Sequence, residues 1–121
     1  MEKINFKDIP MVFQKIGVDI VDLDRLDLTR QHFIERILTP KELAIFHSKP
    51  TEIAKKEFLG GRFAGKEAVL KAIGKGLGGM KFQDIEILNK DSGEPYLNIE
   101  NSMISISHDG NMAIAFVIIG N

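Results

Sequence analysis

Three stretches of the chain carry side chains suited to phosphate chemistry. Asp19 lies in the run IGVDIVD at residues 16–22, and Ser107-His108 precedes an Asp-Gly pair. Arg62, Lys66, Glu67 and Lys71 lie within residues 57–79, EFLGGRFAGKEAVLKAIGKGLGG. Two carboxylates from different elements, Asp19 and Glu67, form a donor set for one Mg²⁺, which takes few protein oxygens and keeps water and substrate phosphates as its remaining ligands. Lysines and an arginine close by would bind the remaining phosphate charge. The chemistry these types suit is phosphoryl or phosphodiester transfer, where positioning and charge neutralisation do most of the catalysis. Each residue also has an ordinary reading. A Glu–Lys pair at this spacing is in most helices a solvated surface pair. Lys66 can bury its stem and keep its charge in water, and an Asp at a strand end bonds nearby backbone.

The elements that must position these groups are legible from periodicity. At about 100° per residue, Leu59, Phe63, Leu70 and Ile73 share one narrow arc of a helix, with Lys66 in the middle of that arc and Arg62 beside it. Glu67 and Lys71 sit one turn apart on its edge. An apolar face with cations set inside it suits a helix that closes a cleft around something anionic. Thr51 caps this long helix, which runs to about Gly74, and Gly60-Gly61 inside it predicts close approach by another element or a ligand. A shorter helix starts at Thr39-Pro40 with Glu42 completing a capping box, and stops before Pro50. Residues 23–38 read as one or two helical turns with Arg25, Arg30, His32 and Arg36 on the polar side, a face that could receive an acidic partner or be simply solvated.

Strands are expected around these helices. From Val12 or Phe13 the pattern alternates, placing Ile16, Val18 and Ile20 on one face and Gly17, Asp19 and Val21 on the other. Residues 84–89, 95–99 and 104–108 alternate as well, with a turn at 90–93 and a two-residue hairpin signal at Asp109-Gly110. Residues 112–119 are apolar at nearly every position, which predicts a strand covered by helix on one side and by more protein or another subunit on the other. The glycines of residues 74–79 contain G-x-G-x-x-G but follow a helix and precede a strand. They read as a C-cap and connection, not a dinucleotide fingerprint.

The 121 residues form one domain, 1–121, with residues 1–11 a possible N-terminal extension. A hydrophobic content of 44% and a charged content of 27% match a soluble globular protein, and a net charge of −1 argues against bulk nucleic-acid binding. With no cysteine, disulfides, thiolate metal sites and cysteine nucleophiles are excluded. His32, His47 and His108 lack zinc-ligand spacing, so any metal is a hard cation held by carboxylates. No run is long enough to span a membrane and the N-terminus lacks a signal peptide's apolar stretch, so the chain reads as cytoplasmic.

At the residues singled out, the sequence closely resembles the small bacterial holo-[acyl-carrier-protein] synthases of the 4′-phosphopantetheinyl transferase superfamily. The family motif G-(I/V/L)-D-(I/L)-x-x-(I/L)-x-R reads GVDIVDLDR at residues 17–25, and R-F-A-x-K-E-A-x-x-K-A-x-G-x-G reads RFAGKEAVLKAIGKG at 62–76. G-x-P-Y is present at 93–96 and S-(I/L)-S-H at 105–108, all in the family's order. Gly65 stands where the family usually has alanine, and residues 25–33 are shortened.

The resemblance implies an α+β fold, with one long helix and shorter helices on a small, mainly antiparallel sheet. It implies transfer of 4′-phosphopantetheine from coenzyme A to a serine of apo-acyl-carrier-protein, releasing adenosine 3′,5′-bisphosphate, in support of fatty acid biosynthesis. Asp19 and Glu67 would be the Mg²⁺ ligands, with Glu67 also the candidate base, and Lys71 would bind the pyrophosphate. Arg62, Lys66 and His108 would line the nucleotide with Pro95 against the adenine, and Phe63, Gly74 and Ser107, in the same motifs, would also bind coenzyme A. Arg25, Arg30 and Arg36 would meet the acidic carrier, and a homotrimer would place active sites at subunit junctions. Two other readings use the same residues: a different Mg²⁺-dependent phosphate enzyme, and a catalytically silent domain that binds carrier or coenzyme A.

Overall fold

A computed structural model describes residues 13–74 and 79–120. The possible extension at 1–11 and residues 75–78 of the glycine run lie outside the described residues. In chain order the elements are β1 (Phe13–Asp22), a 3₁₀ turn (Leu23–Arg25), α1 (Gln31–Ile37), α2 (Pro40–Ser48), α3 (Glu52–Ile73), a second 3₁₀ turn (Phe82–Asp84), β2 (Ile87–Asn89), β3 (Pro95–Leu97), β4 (Ser102–Asp109) and β5 (Met112–Gly120). A three-stranded sheet has the order β1-β5-β4, and β2-β3 form a second small sheet; every described pairing is antiparallel. This is the α+β architecture expected, with α3 laid across the larger sheet.

Local chemistry sets the helix limits. Thr39 Oγ1 accepts from Glu42 N and the Glu42 side chain returns to Thr39 N, closing the capping box at the start of α2. Thr51 accepts from Ala54 N to open α3, and Gly74, at φ +67°, ends it. Gly17 decides how closely α3 lies on the sheet. A Cβ there would stand 1.9 Å from the Ala68 carbonyl oxygen, so only glycine lets helix backbone rest directly on β1. That contact brings the residue after Glu67 against the strand that carries Asp19.

The core divides along α3. Phe58 and Leu59 pack with Leu26, Ile34, Ile37, Leu38, Phe46 and Ala113, and further along Ala64, Ala68 and Val69 pack with Ile85, Ile87, Leu97, Ala115 and Val117. Alternation along β5 puts Ala113, Ala115, Val117 and Ile119 under the helix, while Ile114 and Phe116 face away at about 40% exposure. Ile16, Val18 and Ile20 of β1 join them on that open face.

Some boundaries differ from the sequence reading. The strand expected from residue 84 begins only at Ile87, because residues 82–84 turn in a 3₁₀ helix and Asp84 accepts from Lys81 N. The hairpin loop is Gly110-Asn111, one residue later than expected, since Asp109 still pairs with Met112. Glycine at φ +57° then occupies the first loop position, where a type II′ turn favours it. Within one chain β5 is covered on one face only.

Candidate active site

Alternation and the Gly17 contact together aim Asp19 at α3, where it meets the polar edge of the helix. Lys71 Nζ donates to Asp19 Oδ1 at 2.7 Å and to the Val18 carbonyl at 3.2 Å. Glu67, one turn earlier, is part-buried beside them. Burial raises its pKa above the ordinary carboxylate value and the Asp19 charge pushes the same way, with Lys71 opposing. Two carboxylates thus stand beside one lysine, which leaves the group a surplus negative charge. Among the described residues no cluster of three or more His, Asp or Glu side chains could hold a metal. Two carboxylates with the rest of the shell open is the donor set Mg²⁺ takes with substrate phosphates.

Asp19 and Glu67 line a cavity of about 550 Å³ together with Asp22, Arg25, Asp27, Arg30, Phe33 and Phe63. Phe63 forms its wall, held edge-to-face against Phe33 and Phe82 at 5.7 Å each. Asn111 Nδ2 donates to Asp22 Oδ1 at 3.1 Å and to Asp24 Oδ2 at 2.9 Å, fixing the turn that presents Arg25. Arg30 lies 4.8 Å over the Phe33 ring and borders both this cavity and an adjoining groove that Arg36 shares. The structure therefore brings Arg25 and Arg30 to the mouth of the carboxylate cavity and sets Arg36 further round.

A second cleft, of about 830 Å³, opens on another flank of α3. Arg62, His108, Asn89, Gly93, Tyr96, Lys41 and Lys49 are among its lining residues. His108 Nε2 lies 2.9 Å from the Glu57 carbonyl and 3.4 Å from where a Cβ on Gly61 would stand. The glycine pair is a close-approach device: a Cβ on Gly60 would stand 2.2 Å from Leu23 Cδ2, and one on Gly61 3.1 Å from Ile106 Cγ2. Arg62 Nε donates to Ile87 O at 3.3 Å, and Nη2 donates to Asn89 Oδ1 at 2.5 Å, while the guanidinium stacks 4.2 Å over Phe58. Burial pulls its pKa down to about 10, which leaves it a cation at neutral pH. Asn89 Nδ2 in turn donates to Gly93 O, so Arg62 holds the hairpin that carries half-buried Pro95.

Three expected site residues, Lys66, Ser107 and Gly74, line neither cleft. Lys66 does not line a nucleotide cleft: it is fully buried, and its ammonium donates to Glu42 Oε1 at 2.5 Å and Ile37 O at 2.6 Å. A long side chain on the apolar arc has here found an internal carboxylate instead of snorkelling. Ser107 pairs with Ile114 on the sheet face away from α3, opposite to the face of His108, because neighbouring strand residues alternate. Gly74 is an exposed helix cap. Glu42, Asn89, Lys41 and Lys49 were not singled out for the site from sequence. Only Glu42 carried a signal, as the third residue of a capping box.

Comparisons with known proteins identify the family. Residues 15–117 match the profile of the 4′-phosphopantetheinyl transferase superfamily. The chain belongs to that superfamily. It is 46% identical over 110 residues to a holo-[acyl-carrier-protein] synthase of Streptococcus pyogenes, covering 85% of this chain and 92% of the relative. It superposes with a TM-score of 0.80 on the Bacillus anthracis holo-(acyl-carrier-protein) synthase crystallised in complex with CoA (3′,5′-ADP), at 38% identity over 91% of this chain and 98% of the other. The Helicobacter pylori synthase in complex with coenzyme A aligns with a TM-score of 0.72 at 32% identity, over 88% and 99% of the two chains.

Proposed function

We propose that this chain is a Mg²⁺-dependent holo-[acyl-carrier-protein] synthase. It transfers 4′-phosphopantetheine from coenzyme A to a serine of apo-acyl-carrier-protein in the cytoplasm, in support of fatty acid biosynthesis. The observation that carries this reading is the Asp19–Glu67 carboxylate pair with Lys71, lining a cavity whose mouth is set with Arg25 and Arg30.

In this mechanism Asp19 and Glu67 would hold the metal, which would supply charge neutralisation for the pyrophosphate. Glu67 accepts the proton from the attacking serine hydroxyl. The serine oxygen bonds to the phosphorus that bears pantetheine, and the bond from that phosphorus to the bridging oxygen breaks. Adenosine 3′,5′-bisphosphate leaves with the bond electrons, and Lys71 stabilises the charge on it. Phe63 limits water at the reacting centre. Arg62 and His108, with Pro95 held by the Asn89–Gly93 link, receive the nucleotide, and Arg25, Arg30 and Arg36 receive the acidic carrier.

A homotrimer with composite sites is part of the proposal. β1 and β4 are the outer strands of the three-stranded sheet. Asp19 on one and His108 on the other are separated by about 10 Å of sheet width, with α3 between. Their clefts open on different flanks, so a neighbouring copy can complete each site. The exposed apolar face of Ile16, Val18, Ile20, Ile114 and Phe116 gives copies a surface to bury. Incubation with coenzyme A, Mg²⁺ and apo-carrier tests the activity by the mass added to the carrier. Unmodified carrier across several carrier proteins would overturn it.

A further inference from the structure

Lys66 immediately precedes Glu67, is wholly enclosed, and touches neither cleft. Its partner, Glu42, is equally buried and uses both oxygens. Oε1 accepts from Lys66 Nζ at 2.5 Å and from Thr39 N at 2.8 Å, and Oε2 accepts from Ile87 N at 2.7 Å. Lys66 Nζ also reaches Ile37 O at the end of α1. One carboxylate thus joins the start of α2 and the start of β2 to the middle of α3, and through Lys66 it reaches the end of α1. Thr39 Oγ1 donates to Glu86 Oε2 at 2.6 Å and closes the network outward.

We propose that Glu42, acting through Lys66, is a positioning residue that fixes the rotation of α3 and so the placement of the Glu67 carboxylate. Glu67 is bracketed on both sides: Lys66 before it is pinned by Glu42, and Ala68 after it rests on Gly17 of the Asp19 strand. The hydrophobic effect has no direction of its own, so apolar burial sets a helix's rotation less sharply than a directed bond does. A charged hydrogen bond inside the core does have one. A roll of about 20° swings a carboxylate standing about 6 Å from the helix axis by about 2 Å. A misplacement of about 1 Å lowers a rate by about a hundredfold. Glu42 touches no substrate; its effect runs entirely through the helix.

This inference rests on Glu67 being the catalytic carboxylate, and one double-mutant cycle separates the two claims. Lys66→Met, Glu67→Gln and the double variant are compared for single-turnover kcat with apo-carrier, and for coenzyme A Kd by calorimetry without carrier. Lys66→Met in the Glu67 background is expected to lower kcat at least tenfold while the coenzyme A Kd stays within about twofold. In the Glu67→Gln background the same change is expected to lower kcat by less than about twofold, because the group it positions is gone. A weakened coenzyme A Kd with kcat intact, or an equal fall in both backgrounds, would overturn the positioning role. Glu67→Gln with full activity would instead remove the reading beneath it. Where Lys66→Met does not fold, Glu42→Gln is scored by the same criteria: it keeps an acceptor for Lys66 but turns a donor toward Ile87 N.

Discussion

Helix α3 carries two lysine–carboxylate pairs little more than one turn apart, and they have opposite lives. Lys66–Glu42 is sealed, with neither side chain exposed, and every oxygen of the carboxylate is engaged. Lys71–Asp19 is open, the lysine side chain 56% exposed and the aspartate 17%, and its neighbour Glu67 adds a second negative charge. A buried pair that is saturated by protein donors has nothing left to offer a ligand; removing one partner alone costs the fold. An open pair with surplus charge gains little stability from its ion pair and stays available for a substrate. The difference teaches that charge type alone does not mark a site. Incomplete saturation by the protein's own groups does.

Breaking the open side should give the largest kinetic effect. Glu67→Gln is expected to lower transfer by about 10²–10⁴-fold with carrier binding retained, read by steady-state kinetics and a carrier-binding assay. Breaking the sealed side should give the largest stability effect. Glu42→Ala leaves the Lys66 ammonium buried without its carboxylate and is expected to cost about 3–5 kcal/mol, measured by denaturant unfolding. Asp19→Ala removes a pair whose lysine is largely in solvent and relieves the charge beside Glu67, and is expected to cost less than about 1 kcal/mol. Equal costs for the two would erase the contrast.

Smaller effects sharpen it. Lys71→Ala is expected to lower kcat by about 10²-fold with little change in unfolding, whereas a lysine serving only as a surface pair would leave kcat intact. Arg25→Glu with Arg30→Glu should raise the carrier KM by about tenfold, more steeply at low ionic strength, with the coenzyme A KM unchanged. On the far face of the sheet, Phe116→Asp should dissociate the proposed trimer. A wild-type sedimentation mass of about 13.5 kDa at micromolar concentration would contradict that assembly.

Much of this contrast was legible in the residues, and one part was not. The capping box at Thr39–Glu42, the cap at Thr51 and the alternation that places Asp19 opposite Ile16, Val18 and Ile20 are local signals, and the fold follows them. Periodicity also placed Lys66 on the apolar arc of α3. It could not show that the Glu42 carboxylate, 24 residues earlier, would meet it there, because that contact depends on how α2 packs on α3. The same limit hid the Arg62–Asn89–Gly93 link, which joins a helix to a hairpin 25 residues on. Strand β2 was read too long because Asp84 favours its local turn bond to Lys81 N over extension.

The proposed transfer depends on the open carboxylate flank of α3. Its most direct test is the mass of apo-acyl-carrier-protein after incubation with coenzyme A, Mg²⁺ and either the wild-type chain or Glu67→Gln. The wild type should add phosphopantetheine to the whole carrier population while the variant leaves it unmodified over the same interval. Equal modification by both, or none by the wild type, would contradict it.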